Sequence, residues 1–193
     1  NTEEDIEARI INMTAGNGEI GTSAANAVDV DVRASLNAST RGTNGDIDIN
    51  GIDTDLLIGL IDAGNGNVTL TSDNGIEEDS TADATADIIA GSIDLTAGSN
   101  IGGLGAIETD ASVIVNADTT ASNGDISLSE TSGDLLLGLI TAGTGTATLA
   151  SVDGIEAVAQ GEGNAEILAG TAVLRAVNGI GNDGALETQL TAI

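Results

Sequence analysis

The stretch DIDINGIDTD, Asp46 to Asp55, spaces Asp46, Asp48, Asn50 and Gly51 as the first half of an EF-hand calcium loop does. The loop should then close on a bidentate Glu, yet its twelfth position is Leu57. A strand followed by a turn is therefore the preferred reading, with a nonstandard Ca²⁺ site at this turn as the alternative. The GGxGxD signature of calcium-binding β-rolls is not met either, because IGGLGAIETD puts Ala and Ile in the positions that lead up to Asp. Five acids recur 79 positions further on: Asp46 with Asp125, Asp55 with Asp134, Glu77 with Glu156, Asp87 with Glu166, and Glu108 with Glu187. Such recurrence follows from duplication with surface positions kept. A repeated cation site is the sharper reading, since divalent ions relieve repulsion between stacked carboxylates.

Other chemistry has little to work with. His, Cys, Lys and Tyr are all absent, which removes most general bases and nucleophiles. Serine remains without a base to activate it. A paired-carboxylate glycosidase could be built from Asp and Glu alone, but the sequence has no aromatic residue to form a sugar platform. The chain is accordingly read as no enzyme, with no catalytic, cofactor-binding or metal-ligating residue assigned. No cofactor is required, and Ca²⁺ at the acidic turns is the single candidate. With 31 acidic residues against four arginines (Arg9, Arg33, Arg41 and Arg175), the formal charge is −27, which excludes nucleic acid and anionic membrane surfaces as partners. No run of 18 apolar residues suggests membrane insertion. Asn12, Asn37 and Asn67 open Asn-x-Ser/Thr triplets, which chance supplies in a chain this rich in Asn and Thr.

The elements that position these acids are strands. VDVDV, DIDI, NVTL and SIDL alternate apolar with polar residues, placing aliphatics on one face and Asp, Thr or Ser on the other. Between them TAGNG, SDNG, TAGSN, ASNG and TAGTG supply the positive φ that tight corners need. DLLIGLI, interrupted by a central Gly, reads as a strand buried on both faces. The 23 residues from Asp55 to Glu77 return from Asp134 to Glu156 with 15 identities. Within that long period the strands group in threes, restarting at Val68, Ile93, Val113 and Ala147, so one 79-residue repeat is expected to comprise three coils. Such a coil buries its inward face only when the next stacks on it. The whole of 1–193 is thus expected to be one all-β segment, a parallel β-helix (β-solenoid) of about seven three-strand coils, roughly 34 Å long at about 4.8 Å per coil. Asn1–Glu7 is too brief for a cap and Leu190–Ile193 looks like the opening of another coil. The segment is therefore expected to continue in a longer chain or to dock end to end.

AGNGNVTLTSDNGI, ADIIAGSIDLTAGSNIG, LRAVNGIGNDGALET and ASNGDISLSETSGDLLLG resemble the repeats of filamentous-haemagglutinin-type bacterial surface adhesins. The resemblance covers about 180 residues, and departs from the family's usual make-up in lacking aromatics and lysine. It implies a right-handed parallel β-helix, secretion to the cell surface, and the role of stalk or fibre. The expected function is the structural shaft of an extracellular fibre, filament or adhesin. Its partners would be other copies of itself, the continuation of its own chain, or a receptor on a host or neighbouring cell. The alternatives are a Ca²⁺-dependent cell-surface binding or matrix protein and an array of immunoglobulin-like sandwiches, the latter disfavoured by the missing aromatic anchor.

Overall fold

Period-two alternation dictates strands, and strands are what the chain forms. A computed structural model describes residues 4–79, 84–158, 164–182 and 185–191, and in these every strand pairing is parallel. The one helical element described is a single 3₁₀ turn, Ala24–Asn26. The chain winds as a β-solenoid of about eight turns, with each strand lying on the strand one turn earlier. At about 4.8 Å per turn the axis is about 38 Å long. The immunoglobulin-like alternative is thereby overturned, because a sandwich of that kind is antiparallel.

One turn illustrates the path. The strand Asn67–Ser72 leads through a corner to Ile76–Glu78, and the strand Ile88–Ala97 then completes this turn with its first residues and opens the next with its last. Ser92 to Ala97 accordingly lie on Asn67 to Ser72, residue for residue. Inward side chains stack into aliphatic ladders. Ile47, Val68, Ile93, Val115 and Leu137 form one, each wholly buried. Leu56, Ile76, Ile101, Ile126 and Ala147 form another, likewise buried in the same core. Burial of each large aliphatic contributes about 1.5–3 kcal/mol, and the parallel backbone ladder absorbs the polar groups between them.

These ladders change the meaning of the long repeat. Three turns carry Ile47 to Val115, but its counterpart 79 residues on is Ile126, which stands in the other ladder. Ile58, conversely, has as its counterpart Leu137, which stands in the ladder of Ile47. The 79-residue period thus spans about three and a half turns rather than the three coils expected. The segment counted as one 34-residue coil holds more than one turn: Leu135–Thr141 already lies on the preceding turn, with Leu137 on Val115. The two halves of the cross-section accept the same aliphatic set, so copies of one sequence can occupy opposite halves. Residues 1–3, 80–83, 159–163, 183–184 and 192–193 lie outside the described residues.

A bulge recurs with the repeat. Where Leu36 to Ala38 face Ile58 to Ile61, the later strand carries one extra residue, and the same happens where Val115 to Ala117 face Leu137 to Ile140. The bulges turn Leu60 and Leu139 outward, 44% and 48% exposed against fully buried neighbours at Ile58 and Leu137. Their freed amides donate to Asn37 Oδ1 at 2.9 Å and Asn116 Oδ1 at 2.8 Å.

Candidate functional site

The recurring acids sit at the seams between turns, where most of those with defined contacts accept backbone N–H groups of the next turn. Asp46 Oδ1 accepts the Asn67 amide at 2.8 Å, and its counterpart Asp125 Oδ1 accepts that of Thr146 at 2.7 Å. Asp55 Oδ1 takes the Gly75 amide at 2.8 Å, and Asp134 Oδ1 that of Gly154 at 2.7 Å. Glu77 reaches the Leu104 amide with Oε2 at 2.8 Å, and it and Glu156 are each 5% exposed. At corners, Asn44 and Asn123 repeat the device at positive φ (52° and 59°), their Oδ1 atoms accepting the amides of Asn65 and Thr144. A carboxylate so placed binds its turn to the next with a charge-assisted hydrogen bond.

The calcium-like stretch comes apart as a loop. Ile47–Gly51 is a strand; Asp48 and Asn50 share one face, and Asn50 bridges Asp29 and Thr71 on the turns before and after. Asn12 and Asn37 stack, with Asn37 Nδ2 donating to Asn12 Oδ1 at 3.2 Å. Both triplets thus serve the ladder of turns.

A third group of acids gathers at the boundary between two adjacent turns. Glu78, Asp87 and Glu108 are all buried, and each offers an oxygen within 4.8 Å of the others. These are the residues whose chemistry could hold a hard cation. Burial, first, and then the neighbouring charges of Glu108 and Glu78, raise the Asp87 carboxyl to about 8, against the opposing pull of the Glu108 amide. Burial likewise raises Glu77 and Asp48. Glu130 was not singled out by sequence and is wholly buried. It lies in line with Ile88 and Thr109, accepts the Thr109 hydroxyl at 2.9 Å and the Ala111 amide at 3.2 Å, and is raised to about 7 by burial. Its parity held the signal, because Ile126, Leu128 and Glu130 all fall on the inward face of ISLSE.

Two grooves flank these seams. One, about 360 Å³, is lined by Gly59, Leu60, Asp79, Thr85, Ala86 and Asp87. The other, about 450 Å³, is lined by Gly138, Leu139, Val158, Asn164, Ala165 and Glu166, each 79 positions on. The duplication therefore reproduces a surface as well as a core.

Known protein families, curated proteins and solved structures offer no match to this chain. The chemistry of the seams must carry the functional reading by itself. Carboxylates in such seams can accept amides, share protons and offer oxygens to a cation. Among the described residues, the arginines whose ion pairs are defined spend their charge elsewhere: Arg33 on Glu7 and Asp31, Arg41 on Asp62.

Proposed function

We propose that the chain is a structural shaft, a length of an extracellular fibre, filament or adhesin that holds a distal element away from a surface. The observation that carries this reading is the stacking itself, since among the described residues strand lies on strand from one turn to the next through both copies of the repeat. Load applied along such a rod is shared by parallel hydrogen-bond ladders and by dry aliphatic stacks. The strong negative charge keeps neighbouring rods apart. At the two ends, the strands Ile6–Thr14 and Thr188–Leu190 each pair on one side among the described residues, which suits stacking on a further coil of the same chain or of another copy. No catalytic step enters this role.

Antibody against the chain should label the outside of intact source cells along a projecting fibre; labelling that appears only after permeabilisation overturns the proposal. Thermal melting with and without chelator separates the shaft from a cation-dependent matrix protein. A rod held by backbone ladders keeps its midpoint, whereas a marked fall on chelation favours the Ca²⁺ reading.

A further inference from the structure

The two copies of the repeat share a core but differ on one outward sheet face, and the differences all run the same way. In the first copy Ile47–Gly51, Asn67–Ser72 and Ser92 to Ala97 lie strand on strand. Their outward residues stack in columns, Asp48 with Thr69 and Asp94, and Asn50 with Thr71 and Thr96. The strands 79 positions on, Ile126–Glu130, Thr146–Ser151 and Thr171–Ala176, stack in the same way. Their columns read Ser127 with Thr148 and Val173, and Ser129 with Ala150 and Arg175. Just past the strands, Val152 and Val177 stand where the first copy has Asp73 and Gly98, and they are 53% and 74% exposed.

The second face has therefore lost the acids of Asp48, Asp73 and Asp94 and gained three valines and one arginine. The inward residues change little by comparison: Ile47 becomes Ile126, Leu70 becomes Leu149, and Leu95 becomes Leu174. On a chain with 31 acids against four arginines, this is a sheet face that gives up its water at low cost. The acids that remain at its rim are engaged, Asp125 with the Thr146 amide and Asp153 with Asn178 Nδ2.

Charge indicates what covers it. Arg175 is exposed and, among the described residues, has no ion pair. Its complement is the first face, where Asp73 and Asp94 are exposed among threonines and Asn116 Nδ2 holds Asp94 Oδ1 at 2.7 Å. The two faces cannot meet on one molecule. Ile47 and Ile126 stand in different ladders, so the strands that carry them look out from different sides of the rod.

We propose that the second-repeat face of one rod docks on the first-repeat face of a second copy of this chain. Arg175 meets the acids at Asp73 and Asp94, while Val152, Val173 and Val177 pack on threonine methyl groups. Because the joined faces differ, each pair leaves one face of each kind open, and contact passes from rod to rod instead of closing at two copies. The negative charge on the rest of the rod keeps other approaches apart, so neighbours meet on these sides alone. Three short strands make a small interface, and the association is weak and reversible. It adds side-by-side contact to the shaft without depending on where the shaft is displayed.

Sedimentation velocity and small-angle scattering test this at about 0.15 M salt, where the Debye length is about 8 Å, with protein from about 10 μM to about 1 mM. The mass of the unaltered chain should grow past two copies with concentration, and the particle should thicken. Ser127→Asp with Val152→Asp restores the acids of the first copy below the last described turn, and should leave the chain monomeric. A labelled trace of unaltered chain in excess of this double variant should stop at complexes of two copies, because the variant still offers its first face. Asp73→Lys with Asp94→Lys, which alters the opposite partner, should also abolish association. Arg175→Glu should weaken it on the order of tenfold. The two double variants change different faces, so loss of folding in one leaves the other decisive. A chain that stays monomeric throughout overturns the proposal, as does growth that ends at two copies. Thickening that persists in either double variant overturns it too, and lengthening without thickening moves the contact to the ends of the rod.

Discussion

Asp46 and Asp125 do the same work three and a half turns apart: each accepts an amide of the next turn that would otherwise lack a partner. Replacing either by Ala should cost about 1 kcal/mol, and replacing both about twice that, because the sites are too far apart to couple. Urea unfolding of the two single variants and the double variant measures this. Glu130 is a different case, an acid on the inward face with its carboxyl raised to about 7. Its stabilising contribution is complete below about 4.5, the ordinary Glu value, and is lost as pH rises through about 7. Glu130→Gln should therefore match the unaltered protein near pH 5 and exceed it near pH 8 by on the order of 2 kcal/mol, read from unfolding midpoints at the two pH values. The acids' recurrence was legible in the sequence, but their role was not. A strand pattern says which side a carboxylate faces, while the amide it meets lies more than 20 residues away.

At the scale of the element, the bulged strands show why a glycine interrupts an aliphatic run. In Leu56–Asp62, a methyl group added at Gly59 would lie 2.6 Å from Asn37 Oδ1 and 2.8 Å from Ser35 Oγ. Since Asn37 also holds the Leu60 amide, it cannot move aside without releasing the bulge. Gly59→Ala should thus destabilise by about 1–3 kcal/mol, whereas Gly42→Ala, which meets nothing within 4 Å, should fall within about 0.5 kcal/mol of the unaltered protein. Thermal melts of both variants check the contrast. The sequence reading of DLLIGLI as a strand holds, but its burial on both faces does not: Leu57 is half-buried and Leu60 exposed, so only one face packs into the core. The outward turn of its third Leu, Leu60, needed the register of the neighbouring strand, because a bulge is a mismatch between two strands and neither contains it alone.

For the whole molecule, charge and shape act together. Twenty-seven excess negative charges spread along a rod about 38 Å long repel one another in the folded state more than in the expanded chain. Raising ionic strength from about 0.01 M to about 0.5 M should therefore raise the thermal midpoint, with most of the gain complete once the Debye length has fallen below about 10 Å. A midpoint independent of salt would mean that the charges are compensated by bound ions. Because each turn touches only its neighbours, stability should also be lost by stretches of adjacent turns: Ile93→Ala, in mid-rod, should cost about 2–5 kcal/mol in global unfolding.

Composition and alternation by themselves determined that this chain must be a stack of strands. Without aromatics there is no large anchor for a globular core, and period-two aliphatic runs broken by Gly and Asn corners can bury their inner face only against another copy of the same pattern. They also determined the 79-residue duplication and the positions at which acids return. What only the tertiary structure decided was phase. Counting strands in threes gave whole coils, but strands pair by register, and the register advances each repeat by about half a turn, so that counterparts such as Ile47 and Ile126 meet different ladders. The same phase brings Asp87 beneath Glu108 and sets Glu130 inside the wall. Those encounters depend on how many residues each turn consumes, which loop lengths and bulges fix in three dimensions and no local pattern encodes.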